Sequence, residues 1–224
     1  MELIQIVQND IDAFLKRNDE LFFNERDFQM HLAIWLKHSS HAYDDVDVEY
    51  YVPYKMLDNY IWENELHLDI VVKKNGEYLP VELKYKTKSV FKKLLRFDEE
   101  IKYSEGRDSL QVLKNQGAQD LGMYNFWKDV HRIELVRNCF GRVKGGLAVF
   151  VTNDGAYLKE PKSTSNNYRF NMKEGVHGKQ KHWQKPDSTC AKTHPNFTLE
   201  KEYEIKWDSV NVDGVKFNYC IVTV

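Results

Sequence analysis

The strongest pattern in the chain is a pair of apolar runs divided by a turn. Residues 66–86 read LHLDIVVKKNGEYLPVELKYK. Asn75-Gly76 lies between the runs, and this residue pair favours a two-residue hairpin because both central positions need a positive φ. Counting outward from that turn sets the register. Lys74 faces Glu77, Val72 faces Leu79, Ile70 faces Val81, Leu68 faces Leu83, and Asp69 falls opposite Glu82. Strand alternation places Leu66, Leu68, Ile70 and Val72 on one side with Leu79, Val81, Leu83 and Tyr85. The other side carries His67, Asp69, Glu82 and Lys84.

The remaining elements follow from period and punctuation. Leu3, Ile6, Val7, Ile11, Phe14 and Leu15 recur at helical spacing. Asn24 reads as the N-cap of a second helix, with Glu25 and Asp27 in its first turn and Phe28, Leu32, Trp35 and Leu36 as its buried stripe. Residues 44–49 are an acidic lead into a strand over 46–52, and they form a solvated edge that would repel phosphate. After the hairpin, residues 86–107 open with Lys86, Lys88, Lys92, Lys93 and Arg96. Residues 109–138 predict the longest helix, with Gln116, Asp120 and Tyr124 spaced by four along one face. Gly145-Gly146 leads into the apolar run 147–152, which reads as a buried strand. Two further strands, 200–207 and 217–224, are joined by a turn near Asp213-Gly214.

Length and composition narrow the class. At 224 residues the chain makes one domain with a sizeable core. A net charge of -2 argues against a globally cationic surface, so any nucleic-acid contact must be local. Three scattered cysteines, Cys139, Cys190 and Cys220, suit a reducing cytoplasm and not a disulfide framework. The N-terminus is acidic and amphipathic, unlike a signal peptide, and no apolar run approaches membrane-spanning length, so the expectation is a cytoplasmic protein with no membrane partner.

The polar hairpin face is where chemistry enters. Directly opposed residues on a ladder have β-carbons roughly 4.5–5.5 Å apart, and like charges there destabilise it. Two carboxylates ~4 Å apart repel by about 4 kcal/mol at an effective dielectric near 20. A divalent cation between Asp69 and Glu82 removes that cost, and so does a proton on one of them. Oxygen ligands without a nearby thiolate favour Mg2+, with Mn2+ as the other fitting cation, over zinc. Lys84, two residues beyond Glu82, can set an ammonium beside a metal-bound water or a scissile phosphate. The ordinary alternative is a solvated face on which Glu82 pairs with Lys84.

Asp69 followed by Val81-Glu82-Leu83-Lys84 resembles the PD-(D/E)XK nuclease superfamily, although Leu68 stands where proline often precedes the acid. The resemblance spans roughly residues 24–152 and implies the restriction-endonuclease-like fold, an α/β protein with an αβββαβ core and a mixed central sheet. It implies that Asp69 and Glu82 ligate magnesium and that Lys84 orients or activates the attacking water. It further implies that Glu25 completes the metal shell and that Gln116 positions substrate. For Glu25 the helix dipole alone is an alternative explanation, and for Gln116 an ordinary polar flank is another. Lys86 and Lys88, leaving the strand just past Lys84, are the expected phosphate contacts.

The implied activity is metal-dependent hydrolysis of phosphodiesters, with DNA as substrate because the superfamily mostly cuts DNA. Cutting both strands would call for a homodimer. Two other classes stay open: a catalytically silent nucleic-acid-binding module of the same fold, and a protein-interaction domain. Residues 153–199 form a basic insertion or loop. Its lysines and arginine interleave with Tyr168, Phe170 and Trp183 as in nucleic-acid contacts. His177, His182, Cys190 and His194 have no spacing typical of a zinc site.

Overall fold

Apolar stripes build the first two helices of this computed structural model, which describes residues 2–17, 21–101 and 109–224. Helix α1 spans Leu3–Lys16 and helix α2 spans Glu25–Lys37. Asn24 caps α2 as its sequence position suggests, accepting the Asp27 N–H at 2.9 Å. Strands β1 (Asp45–Val52), β2 (Leu66–Lys74) and β3 (Glu77–Lys86) follow, then helix α3 (Gln119–Cys139) and strand β4 (Leu147–Thr152). Strands β5 (Asp208–Val212) and β6 (Val215–Thr223) end the chain.

These six strands form one mixed sheet in the order β1-β2-β3-β4-β6-β5. Only β3 and β4 are parallel, which requires a crossover, and α3 lies within it. The apolar sides of α1 and α2 share one core with Ile70, Val81, Leu83 and Val149. On the other face, Phe126, Val130 and Ile133 of α3 share a second core with Ala148, Phe150 and Val222. The result is an α/β protein whose sheet is flanked by helices on both faces. Among the described residues, no helix is long and apolar enough to cross a membrane.

Both tight hairpins use the left-handed backbone their turn residues allow. Asn75 and Gly76 sit at φ 52 and 77, and Asp213 and Gly214 at φ 52 and 79. The β2–β3 register is the counted one from Lys74↔Glu77 to Ile70↔Val81. The expected faces hold only in part. Ile70 and Val72 belong to the core beneath α1 and α2, whereas Leu66 and Leu68 belong to the core beneath α3. Strand β1 switches in the same way, with Val46 in the first core and Val52 in the second. Pairing keeps its register across the switch, Val48↔Ile70 and Tyr50↔Leu68. Glu49, at φ 51, sits between them, and a left-handed residue inside a strand inverts the alternation beyond it.

Three other elements differ from the sequence expectation. The long helix begins only at Gln119. Upstream of it Leu110–Leu113 is a strand paired with Val90–Lys92, and Val112 and Leu113 are drawn into the α1/α2 core. Gln116 therefore precedes α3, and its N–H is taken by Thr87 O at 2.8 Å. In the 200–207 stretch, Tyr203–Ile205 pairs with Gly175–His177 and does not extend the main sheet. The basic stretch after β3 is described as far as Ile101; residues 102–107 of it lie outside the described residues.

The segment between β4 and β5 packs on the outer side of α3, where Tyr157, Phe170, Trp183 and Phe197 join its core. Helix α3 is thus covered on both sides, which is why it buries charged residues as well as apolar ones. Glu134, fully buried, accepts from His131 at 2.8 Å, from the Glu200 N–H at 2.9 Å and from the Tyr203 hydroxyl at 2.7 Å. The bonds from Glu200 and Tyr203 pin the far end of the segment to the helix.

Lys181 is the exceptional residue of this segment. It is 1% exposed, with its ammonium 3.4 Å from the centre of the Trp127 ring. Burial, followed by the charge of Arg169, pushes its pKa down to about 7 from 10.5. Between these values the unfolded chain binds a proton that the folded chain does not, so stability rises with pH through that window. Lys181→Met removes this component. Wild-type stability is expected to gain on the variant by up to about 1.4 kcal/mol per pH unit above neutrality. Urea unfolding between neutral and mildly alkaline pH checks this; parallel curves would contradict it.

Candidate active site

Strands β2 and β3 part just past Ile70↔Val81, and side chains take over the backbone groups that the ladder releases. Asp69 Oδ2 accepts the Leu83 N–H at 2.6 Å, and Glu82 Oε2 accepts the Asp69 N–H at 3.4 Å. The Asp69 carbonyl accepts from Gln29 Nε2 at 2.7 Å. One turn earlier on α2, Glu25 Oε2 accepts the Tyr85 N–H at 2.9 Å. The two acids placed opposite by the turn thus meet across the opening, and α2 holds the gap from one side.

The other side is α3. Lys84 Nζ lies 2.6 Å from Asp129 Oδ2 and donates to the Leu83 carbonyl at 2.9 Å. Arg132 Nη1 stands 3.5 Å from Asp129 Oδ1, and its Nη2 donates to the Tyr60 hydroxyl at 3.2 Å. Asp69, Glu82 and Asp129 thus face Lys84 and Arg132, and the Lys128 ammonium also feels Glu82 and Asp129. Glu82 is 3% exposed, and its Oε1 has no hydrogen-bond partner among the described residues.

Burial and charge set the protonation of the cluster. Burial raises Glu82 well above the ordinary carboxylate range, and Asp129 and Asp69 add to the effect against Lys84 and Arg132. Asp69 is raised too, by burial and by Asp129, while Lys84 and the Leu83 N–H pull the other way. Burial works against the Lys84 ammonium, yet Asp129, Glu25, Asp69 and Glu82 together hold it charged, above the usual lysine range. Burial and the neighbouring carboxylates thus favour the protonated form of Glu82 far more than for an exposed glutamate.

The expected site residues are distributed as follows. Asp69, Glu82 and Lys84 share this cluster, and Glu25 reaches it from α2 through the β3 backbone and the field it exerts on Lys84. Lys86 Nζ is 3.7 Å from Glu25, and Lys88 Nζ is 3.1 Å from the buried Asp154. Both lie at or just beyond the end of β3, with Gln116 tied to the Thr87 carbonyl nearby. Tyr124 faces the outer segment, not the sheet: its ring stacks on Trp183 and its hydroxyl donates to Pro195 O at 2.9 Å.

Sequence reasoning missed Gln29, Asp129 and Arg132. A signal for the last two exists in hindsight. The stretch 126–136, FWKDVHRIELV, is apolar on too many sides to leave a solvated face, so its charges must be buried and paired.

Fold and site together define an α/β protein with a buried cluster of carboxyl, lysine and arginine side chains where two central strands diverge. Set against protein-family models, curated proteins and solved structures, the chain has no significant match in any of the three. Among the described residues, no group of three or more His, Cys, Asp or Glu side chains is arranged to hold a metal ion. The two-acid set nevertheless fits a hard cation. It offers carboxylate oxygens only, and the buried Glu82 Oε1 is left without a partner.

Proposed function

We propose that this chain is a metal-dependent phosphodiesterase of the PD-(D/E)XK type, with Mg2+ or Mn2+ as cofactor and DNA as substrate. The observation that carries the reading is the meeting of Asp69 and Glu82 across the parted hairpin, with Lys84 in the same cluster. The element order α2-β1-β2-β3-α3-β4 around that hairpin supports it, being the order the restriction-endonuclease-like core would have.

Asp69 and Glu82 would hold the cation, which when bound supplies Lewis-acid stabilisation of the phosphate and a hydroxide near neutral pH. The chain's own residues do the rest. The raised proton affinity of Glu82 relieves the repulsion between the acids in the metal-free state. Asp129 keeps Lys84 charged, so the ammonium stays suited to a phosphate oxygen or to orienting water. Lys92 and Lys93 are paired with Asp213 and with Glu100 (3.1 Å). The exposed Lys93–Glu100 pair is worth about 0–1 kcal/mol, so a nucleic-acid phosphate can displace it.

A second reading is a silent nucleic-acid-binding module of the same fold. It is favoured by the ion pair that engages Lys84 with Asp129 at 2.6 Å. Incubation with supercoiled plasmid and with single-stranded DNA, each with Mg2+, Mn2+ or EDTA, separates the two. Cleavage by the wild type that needs metal and is lost in Asp69→Ala and Lys84→Ala is the expected result. Metal-dependent cleavage retained by both variants removes the assignment, and salt-sensitive binding without cleavage favours the silent module.

A further inference from the structure

A second polar cavity lies on the far side of α3 from the acid pair, within the segment between β4 and β5. It has a volume of about 580 Å3 and is bordered by Arg169, Lys173, Lys179 and Lys181, with Glu160 and Glu202 as its carboxylates. With Lys181 protonated, as it is below neutrality, four cations against two carboxylates leave an excess of two positive charges, on a chain whose net charge is -2. Glu160 is already engaged, by Lys173 Nζ at 2.8 Å and the Tyr168 hydroxyl at 3.3 Å.

Lys181 makes this more than a charged surface. Its side chain is buried against the face of Trp127, and among the described residues no carboxylate pairs with it. Contact with an aromatic face offsets only part of the cost of desolvating an ammonium. The charged neighbour that acts on it is Arg169, which is repulsive. A buried cation, a second cation beside it and a roomy polar cavity together lack an anion. Asn171 and Gln180 add neutral hydrogen-bonding groups to the same wall.

We propose that this cavity binds a phosphate monoester, with Lys181, Arg169 and Lys173 as its cationic contacts. The dianion matches the excess of two charges, and its three terminal oxygens accept from several donors at once. The site is independent of Asp69 and Glu82, from which α3 separates it. Its ligand is a free phosphate or mononucleotide, or the terminal phosphate of a strand.

The test is calorimetric titration of the full chain in EDTA with four probes. These are inorganic phosphate, adenosine 5′-monophosphate, and one short oligonucleotide with a 5′-phosphate or a 5′-hydroxyl. Wild type is expected to bind the first two. Arg169→Ala, at an exposed position, and Lys173→Ala should each weaken binding about tenfold or more, the loss of one charge-assisted hydrogen bond, with an unchanged unfolding midpoint. Lys181→Met should abolish it. Tighter binding of the phosphorylated strand than of its hydroxyl counterpart supports a strand end as the source, and binding confined to the small probes supports a free monoester. Absence of binding by both small probes at millimolar concentration, or wild-type affinity in Arg169→Ala and Lys173→Ala, overturns the proposal. Because no cleavage is read, its failure leaves the nuclease reading untouched.

Discussion

Glu82→Gln is expected to abolish cleavage while leaving the fold as stable as before, or more so. The two effects have different origins. Glu82 sits among Asp69 and Asp129, partly balanced by Lys84 and Arg132, and burial already pushes it well above the ordinary carboxylate range. A glutamine copies the protonated acid in shape and charge, so it retains what the metal-free fold uses. An acid raised in the fold binds its proton more tightly than in the unfolded chain. Wild-type stability therefore falls as pH rises from about 4.5 toward the raised value. The variant lacks that fall, so its advantage in EDTA should grow with pH across the window. Cleavage should drop by about a thousandfold, since Lewis-acid stabilisation amounts to several kcal/mol and each 1.36 kcal/mol is tenfold. Plasmid cleavage and urea unfolding of the same preparation check both halves. Wild-type cleavage would remove Glu82 from the chemistry; a large loss of stability would show that it is ionised in the fold.

Lys84→Met should give the opposite stability result. It removes the cation 2.6 Å from Asp129 and leaves Arg132, at 3.5 Å, facing three acids. Breaking a buried pair from one side costs about 3–5 kcal/mol because a charge is stranded. For a chain of this size that is a fall in Tm of roughly 6–20 °C. Adding Asp129→Asn to Lys84→Met should recover much of the loss, since removing both partners strands no charge. Additive losses in the double variant would mean that the two residues are not coupled.

How far the site was legible follows from how local each determinant is. The Asn75-Gly76 turn and the register up to Ile70↔Val81 were readable, because a tight turn constrains only its own residues and the count outward is arithmetic. The capping of α2 by Asn24 was readable for the same reason. The side-chain faces were not. Nothing in the composition of β1 marks Glu49 as left-handed; it is held there while Gln29 donates to its carboxylate at 3.0 Å from α2. The start of α3 was misplaced because Val112 and Leu113 obey the α1/α2 core in preference to a continuing helix.

By itself the sequence determined the elements whose geometry depends on near neighbours: the Asn75-Gly76 hairpin, two amphipathic helices with the second capped by Asn24, and a buried β4. It also placed Asp69 against Glu82. Only the tertiary structure decided what those acids are worth. It brought Asp129 and Arg132 from α3 against Lys84, took Gln29 and Glu25 to the opened strands, and folded a basic segment over the outer side of α3 to bury Lys181. The protonation of a carboxyl or an ammonium is set by burial and by every charge within several ångströms, whatever their separation along the chain. Residue order therefore announces the acids, and packing sets their charge.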